Sequence, residues 1–576
     1  MEKKVKILSP DMRAVNNVRR ALKSSLVLAK VLVNRNIKTP EDALTFMQPS
    51  FDTMTSPFAI KDMTKAVDRV CKALESREKI LIFGDYDVDG VTSTAVIFEF
   101  LKAAGADVSW YIPHRENEGY GFQESHIEKQ VMPSGIGLII TVDCGSGSHD
   151  AINKAGKAGI DVVVTDHHTI SQDLPPAVAI VNPRRPDCSS GLDHLAGVGV
   201  AFYFVIGLRQ RLREKGFWKN RLEPNLKQMC DLVALGTIAD LVPMISENRI
   251  FSKTGLDMIG HGKRPGLKAL TDACRIKKSV IDSDDVAFKI APRLNAAGRI
   301  NHAKDAFLLL TEENRERARR MAELLCEMNL TRKVMENNIL GEIQNYLNDH
   351  PGRLEMKTIV LYRDSWQKGL LGIVASRLVD LYFRPVILIS GQGDNCRGSA
   401  RSIPGFDMYK GLESCFEHIE EFGGHKMAAG LSIKPEQIER FCHAFELEAK
   451  KRLTSEHMIP KIDVDCKLAF SEMSAALIDE LALMQPFGTG VPEPLFLAEN
   501  VNVLFSQLVG ENHRRMRLSQ TGCRPGFREA QAINAIQFNI DPSESVPGVY
   551  KRILFRLKWN YWNGKKSPQM IIEDAL

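Results

Sequence analysis

The chain has 576 residues, 44% of them apolar, 26% charged and 7% aromatic, which is ordinary for a globular protein and too long for one compact core. No apolar run nears the roughly 18 residues of a spanning helix, and the charged start Met1-Glu2-Lys3-Lys4 has no apolar stretch behind it, so neither a membrane protein nor a secreted one is expected. Eleven cysteines without a Cys-x-x-Cys pair argue against a disulfide framework or a zinc ribbon and for a reducing cytoplasm. The net charge of +5 sits in the tail, where 11 Lys and Arg stand against 6 Asp and Glu over residues 501–576. A basic module on a neutral body suits a polyanionic partner.

Residues 1–50 read as a helical and irregular lead-in. Four short apolar runs follow, at 79–83, 137–142, 161–165 and 177–181, with helical patterns at 62–75, 91–104 and 150–158. This alternation predicts βαβ units around a buried parallel sheet. Past Asp240 the pattern turns helical. It ends in a helix of about residues 311–350, capped by Thr311, with the apolar stripe Leu324, Leu325, Met328, Met335, Ile339, Ile343 and Leu347. Forty residues at 1.5 Å each would span about 60 Å, so this helix is expected to join two lobes. A second α/β segment has strands at 358–361 and 385–389 around a helix at 370–381. The tail beyond Lys461 is strand-rich and carries Phe505, Phe538, Phe555, Trp559, Tyr561 and Trp562. The expected fold is α/β with a strand-rich end, divided at 1–50, 51–250, 251–350, 351–455 and 456–576.

In a parallel sheet the ligand site lies beyond the carboxyl ends of the strands. The first run ends in Gly84-Asp85-Tyr86-Asp87-Val88-Asp89-Gly90, the second in Asp143-Cys144-Gly145 and the third in Asp166-His167-His168. A fourth acid closes Gly236-Thr237-Ile238-Ala239-Asp240. Singly, such residues are turns, helix caps or surface pairs. Together they place oxygen and nitrogen ligands on one edge of one sheet, where the acids repel one another unless cations neutralise them. Carboxylates with imidazole suit Mn²⁺ or Mg²⁺, and two such ions about 3.5 to 4 Å apart form the usual clamp for displacement at phosphorus.

These four motifs, in this order, resemble those of the DHH phosphoesterase superfamily. Further segments narrow the resemblance to the bacterial RecJ single-strand-specific DNA exonucleases. They are Tyr111-Ile112-Pro113-His114-Arg115 with Glu118-Gly119-Tyr120-Gly121, Leu195-Ala196-Gly197-Val198-Gly199, Pro292-Arg293-Leu294-Asn295-Ala296-Ala297-Gly298-Arg299, Gly398-Ser399-Ala400-Arg401 and Gly423-Gly424-His425. The resemblance covers nearly the whole chain. It implies a DHH catalytic lobe, a long connecting helix, a DHH-associated α/β lobe and a C-terminal OB-fold β-barrel.

The same resemblance implies two Mn²⁺ or Mg²⁺ ions held by Asp85, Asp87, Asp143, His167 and Asp240, with His168 facing the scissile phosphate. Asp166 would orient a histidine, and Asp89 would cap the helix starting at Gly90 or support the metals. Arg115, Arg299, Ser399, Arg401, Gly424 and His425 would hold the 5′ end and nearby phosphates. The implied activity is 5′ to 3′ hydrolysis of single-stranded DNA to 5′-mononucleotides, in repair and recombination. The implied protein is a cytoplasmic monomer working beside a single-strand-binding protein and a RecQ-like helicase. Alternatives are a DHH oligoribonuclease, which is generally shorter, a manganese pyrophosphatase, which needs no basic tail, and a non-catalytic scaffold, which would have lost acids kept here. Two departures stand out. Phe83 replaces a histidine that often serves as a metal ligand, which is expected to weaken one metal; Gln367 replaces a histidine after Trp366, on the groove wall. The chain ends soon after the expected OB-fold, so no further domain is expected.

Overall fold

A computed structural model describes all residues except 1–2, 120, 171–172, 277–279, 392–395, 521–531, 563–564 and 576. Tyr120 of the 118–121 motif therefore lies outside the described residues. β1 (Lys4–Ile7) precedes three short helices, and the first lobe then contributes β2 (Ile80–Gly84), β3 (Val108–Tyr111), β4 (Leu138–Val142), β5 (Asp161–Thr165) and β6 (Ala179–Val181). All five run parallel in the order β3-β2-β4-β5-β6. β2 and β4 are buried at every residue, which is why they read as unbroken apolar runs. Ile80 and Ile82 enter one core and Leu81 and Phe83 the other, as the two-residue period of a strand requires. β3 is the half-exposed edge strand, and its mixed Val-Ser-Trp-Tyr pattern hides it from a reading of apolar runs.

The connecting helix is Arg315–Asp349, whose 35 residues span about 52 Å. Its cap is Asn314, whose Oδ1 accepts the backbone N–H of Glu316 and Arg317. Thr311 is not the cap: it ends the preceding helix Lys304–Thr311 and turns its hydroxyl back to the Phe307 carbonyl. Ala318, Ala322 and Leu325 pack into the first lobe, whereas Ile339, Ile343 and Leu347 pack into the second. Between them the buried positions are Asn329, Arg332 and Glu336. The helix turns a different face to each core, so Leu324 and Met335 of the expected stripe are exposed.

The second lobe has β7 (Ile359–Tyr362), β8 (Val386–Ser390), β9 (Cys396–Arg401), β10 (Glu421–Gly424) and β11 (Ala428–Ile433), in the order β10-β11-β9-β8-β7, antiparallel except for β7 with β8. The tail adds β12 (Lys461–Val464), β13 (Cys466–Lys467), β14 (Phe496–Val509), β15 (His513–Gln520), β16 (Ile533–Gln537), β17 (Val549–Trp562) and β18 (Lys565–Ala575). Pairing of β14 with β17 closes the order β13-β14-β15-β16-β18-β17 into a ring. The barrel interior, with Phe496, Leu518 and Phe555, is continuous with the core of the first lobe, while the second lobe keeps cores of its own. Phe505, Phe538 and Tyr561 are exposed and Phe555 is buried. The Trp562 side chain lies outside what is described.

The lead-in is not a separate irregular stretch. β1 pairs in parallel with β12 from Lys4–Lys461 to Ile7–Val464, and Arg35 forms a buried ion pair with Asp465 at 2.7 Å. Four residues reading Lys-Val-Lys-Ile carry too little pattern to betray a strand whose partner lies over 450 positions away. Arg249, 1% exposed, adds a second tie: its guanidinium donates to the carbonyls of Phe46, Met484, Gln485 and Pro486 at 2.8 to 3.1 Å. Among the described residues, no helix is long and apolar enough to cross a membrane.

Candidate metal centre

The turn after β2 is tight because position 90 is glycine; a Cβ there would lie 2.5 Å from the Asp85 carbonyl oxygen. Asp87 caps the helix Val88–Ala103, its Oδ1 accepting Gly90 N–H at 3.0 Å. Asp89 does not cap that helix. Its carboxylate crosses to the start of another helix, Gly197–Glu214, and accepts from Gly197 and Val198 N–H at 2.6 and 2.8 Å. Asp143 follows β4 and Asp166, His167 and His168 follow β5. Asp240 comes from the C-terminal end of the helix Cys230–Ala239, not from a strand end as its grouping with the others suggested. Gly236 lets that helix approach, since a Cβ there would meet Thr92 Oγ1 at 2.3 Å and Asp89 Oδ1 at 2.8 Å.

The result is three overlapping sets, Asp85–Asp87–Asp143, Asp143–His167–His168 and Asp89–His167–Asp240, each with ligand atoms within 4.8 Å of one another. His167 Nε2 lies 3.1 Å from Asp143 Oδ1, 3.7 Å from Asp240 Oδ2 and 3.8 Å from Asp89 Oδ2. Its Nδ1–H donates to the Leu195 carbonyl at 3.2 Å, which leaves Nε2 with a lone pair. Among the described residues, Asp85 Oδ1, Asp143 Oδ1 and His167 Nε2 are all buried without a hydrogen bond. Lone pairs this close repel one another, and a divalent cation among them relieves the repulsion.

The electrostatics carry the same demand. Burial, then the charge of Asp87, pushes the Asp85 carboxyl up to about 8 and the Asp89 carboxyl up to about 7. Burial, then Asp89 and Asp87, pushes Asp240 up to about 9, and Asp143 rises well above the carboxylate range for the same reasons. Burial and the neighbouring His168 hold His167 down at about 3, so it is a neutral ligand. His168 behaves differently. Burial opposes its charge, but the 2.8 Å hydrogen bond to Asp166 and the surrounding carboxylates win and raise it to about 9. Carboxylates with one neutral imidazole are the donor set of Mn²⁺ or Mg²⁺.

Arginines gather near the acids. Arg115 rests on the Tyr86 ring at 4.8 Å and acts electrostatically on Asp85. Burial, then Arg115 and Arg332, pushes Arg299 down to about 9, and Arg401 is lowered by burial and Arg115. Ser399 and Arg401, two apart on β9, point the same way. Gly424 has φ +142, and a Cβ there would meet the Ala428 oxygen at 2.5 Å. His425, His168 and Asp166 line a cavity of about 790 Å³ with residues 145–151. Motif spacing missed Asn182, fully buried just after β6, whose amide donates to the His168 carbonyl and Ser146 Oγ at 2.9 Å each. The strand-end rule, applied to the fourth run, finds it. Phe83, 1% exposed, stacks among Tyr111, Phe122 and His126, with ring centroids 4.8 to 5.8 Å away.

A parallel sheet gathering six aspartates and two histidines at one edge defines a metal-dependent phosphoesterase lobe. Family models match in three places: the DHH family, N-terminal domain, over residues 79–237, the DHHA1 domain over 355–451 and the RecJ OB domain over 464–574. The single-stranded-DNA-specific exonuclease RecJ of Bacillus subtilis (strain 168) is 34% identical over 573 residues, 99% of this chain and 70% of the relative. That of Salmonella typhimurium is 35% identical over 568 residues, 95% of each chain. The crystal structure of RecJ in complex with Mn²⁺ from Thermus thermophilus superposes with a TM-score of 0.83 at 28% identity, covering 100% of this chain and 79% of that one. The Mg²⁺ complex of the same protein gives a TM-score of 0.77 at 27% identity, covering 99% and 78%. The chain belongs to the RecJ family of single-stranded-DNA-specific exonucleases.

Proposed function

We propose that this protein hydrolyses single-stranded DNA stepwise from a 5′ end, releasing 5′-mononucleotides in repair and recombination. The observation that carries the reading is the triple set of carboxylate and imidazole ligands, with Arg115 close enough to act on Asp85 as well as on Arg299 and Arg401. Asp85, Asp87, Asp143, His167 and Asp240 would hold the cations, with Asp89 beside them. Bound Mn²⁺ or Mg²⁺ supplies Lewis acidity that lowers the pKa of a coordinated water and neutralises phosphate charge. His168, its Nδ1 committed to Asp166, can donate from Nε2 to a phosphate oxygen. Guanidinium groups suit phosphate oxygens bidentately, so Arg115, Arg299 and Arg401 with Ser399, Gly424 and His425 would hold the terminal phosphates.

The division expected from the sequence at residues 250, 350 and 455 is proposed as the functional one, with residues 1–50, expected as a lead-in, serving as a brace tied to the tail through β1 and Arg35. The exposed aromatics and basic residues of the barrel would track single-stranded backbone and stack bases. A monomeric cytoplasmic protein acting beside a single-strand-binding protein and a RecQ-like helicase is supported by family resemblance alone. The decisive experiment digests a single strand labelled at either end, with Mn²⁺, Mg²⁺ or EDTA. Label at the 5′ end should appear at once as mononucleotide, blunt duplex should resist, and EDTA should stop the reaction. Early release of the 3′ label, or hydrolysis in excess EDTA, would sink the reading.

A further inference from the structure

Gln367 lies in the turn at 366–370 between β7 and the helix Leu371–Tyr382 of the second lobe. Trp366 anchors that turn: it is 6% exposed, and its indole N–H donates to Glu342 of the connecting helix at 3.0 Å. Across the seam stands the C-terminal end of the helix Ala291–Ile300, part of the first lobe. Gln367 Nε2 donates to the Arg299 carbonyl at 3.2 Å, and Arg299 Nη1 donates to the Gly369 carbonyl at 2.8 Å. One residue of the first lobe is thus held at its main chain and at its side chain by one turn of the second. The Arg299 carbonyl belongs to a last helical turn, whose carbonyls lack intrahelical donors, and Gln367 supplies one.

Arg299 needs such a hold. Arg115, Arg332 and Arg401 act on it with like charge, and Glu336 is the acid that opposes them. A long side chain in that field would swing toward solvent unless its backbone and one nitrogen were fixed. We propose that Gln367 is a positioning residue that sets Arg299 against the terminal phosphate of the strand, so that closing the two lobes and recognising the strand end are one event. This rests on the reading of Arg299 as a phosphate-binding residue.

Steady-state kinetics with Mn²⁺ on a short 5′-phosphorylated strand and its 5′-hydroxyl counterpart test it. Gln367→Leu should raise KM about tenfold on the phosphorylated strand, the worth of one hydrogen bond, with kcat within about twofold. On the 5′-hydroxyl strand it should match the parent. Gln367→His, which keeps an N–H donor, should restore KM to within about threefold of the parent value. Arg299→Ala should raise KM, and adding Gln367→Leu to it should change nothing more, because residues acting through one contact are fully coupled. The proposal is overturned if Gln367→Leu leaves KM unchanged while Arg299→Ala raises it. It is equally overturned if the two changes add in full, or if kcat and melting temperature fall with KM. An Arg299→Ala protein with normal KM overturns both the proposal and the reading beneath it.

Discussion

Replacing Asp143 by asparagine should stabilise the metal-free protein and abolish its response to metal. The ligand oxygens of Asp85, Asp87 and Asp143 lie within 4.8 Å of one another, and two unit charges at that distance repel by about 3.5 kcal/mol at an effective dielectric near 20. Asp143 enters two such pairs and also feels Asp89 and Asp240. Proton uptake by the raised carboxyls relieves part of this, so a net gain of about 2 kcal/mol is the reasonable scale. Asparagine keeps the shape and tolerates the φ of 58 at this position. In EDTA the variant should melt roughly 5 °C above the parent, at about 2 to 4 °C per kcal/mol for a lobe of this size. The parent should gain a comparable rise from Mn²⁺ at a hundred times its dissociation constant, worth about 2.7 kcal/mol, and the variant should gain none. Differential scanning fluorimetry in EDTA and across a Mn²⁺ series reads both effects. A variant that melts lower in EDTA and still responds to Mn²⁺ would refute the assignment of Asp143 as a buried ligand under repulsion.

Three further outcomes follow from particular contacts. Arg249→Met strands four carbonyls of the lead-in and the 484–486 segment, three of them in buried contacts, so it should cost at least about 3 kcal/mol and expose that segment to limited proteolysis. Glu247 accepts from His194 Nε2 at 3.0 Å and Thr55 N–H at 3.3 Å, and although burial opposes it these bonds hold the carboxyl at about 2, below its ordinary 4.5. Its contribution is therefore present above pH 4.5 and lost as pH falls toward 2; Glu247→Gln should lower the melting temperature at pH 7 and flatten its fall below pH 4.5. Arg515 and Arg517 are exposed on β15, the latter opposite Phe505, and replacing both by alanine should reduce the log–log salt slope of single-strand binding by about 1.4. An unchanged slope would take the barrel face out of the DNA path.

The sequence alone was enough for whatever repeats locally. Runs such as 80–84 and 138–142 announce a buried parallel sheet because every residue faces a core, and the acids and imidazoles closing those runs announce a cation site because ligands follow strand ends. Contacts set by partners far along the chain were closed to it. Asp89 looks like the cap of its own helix and serves one that starts at Gly197, because a carboxylate goes to whichever unpaired N–H groups the packed fold brings nearest. β1 is a strand only because β12 lies beside it, and Asp240 reaches the metals from a helix end only because Gly236 lets that helix press against Asp89. Position 83 shows the same division: the chemistry of phenylalanine says it cannot bind a metal, but only the packing reveals an aromatic core around it. The union of barrel and first lobe in one core, with the second lobe joined through the 315–349 helix and the Gln367–Arg299 seam, is likewise decided by packing, since apolar area is buried without regard to sequence separation.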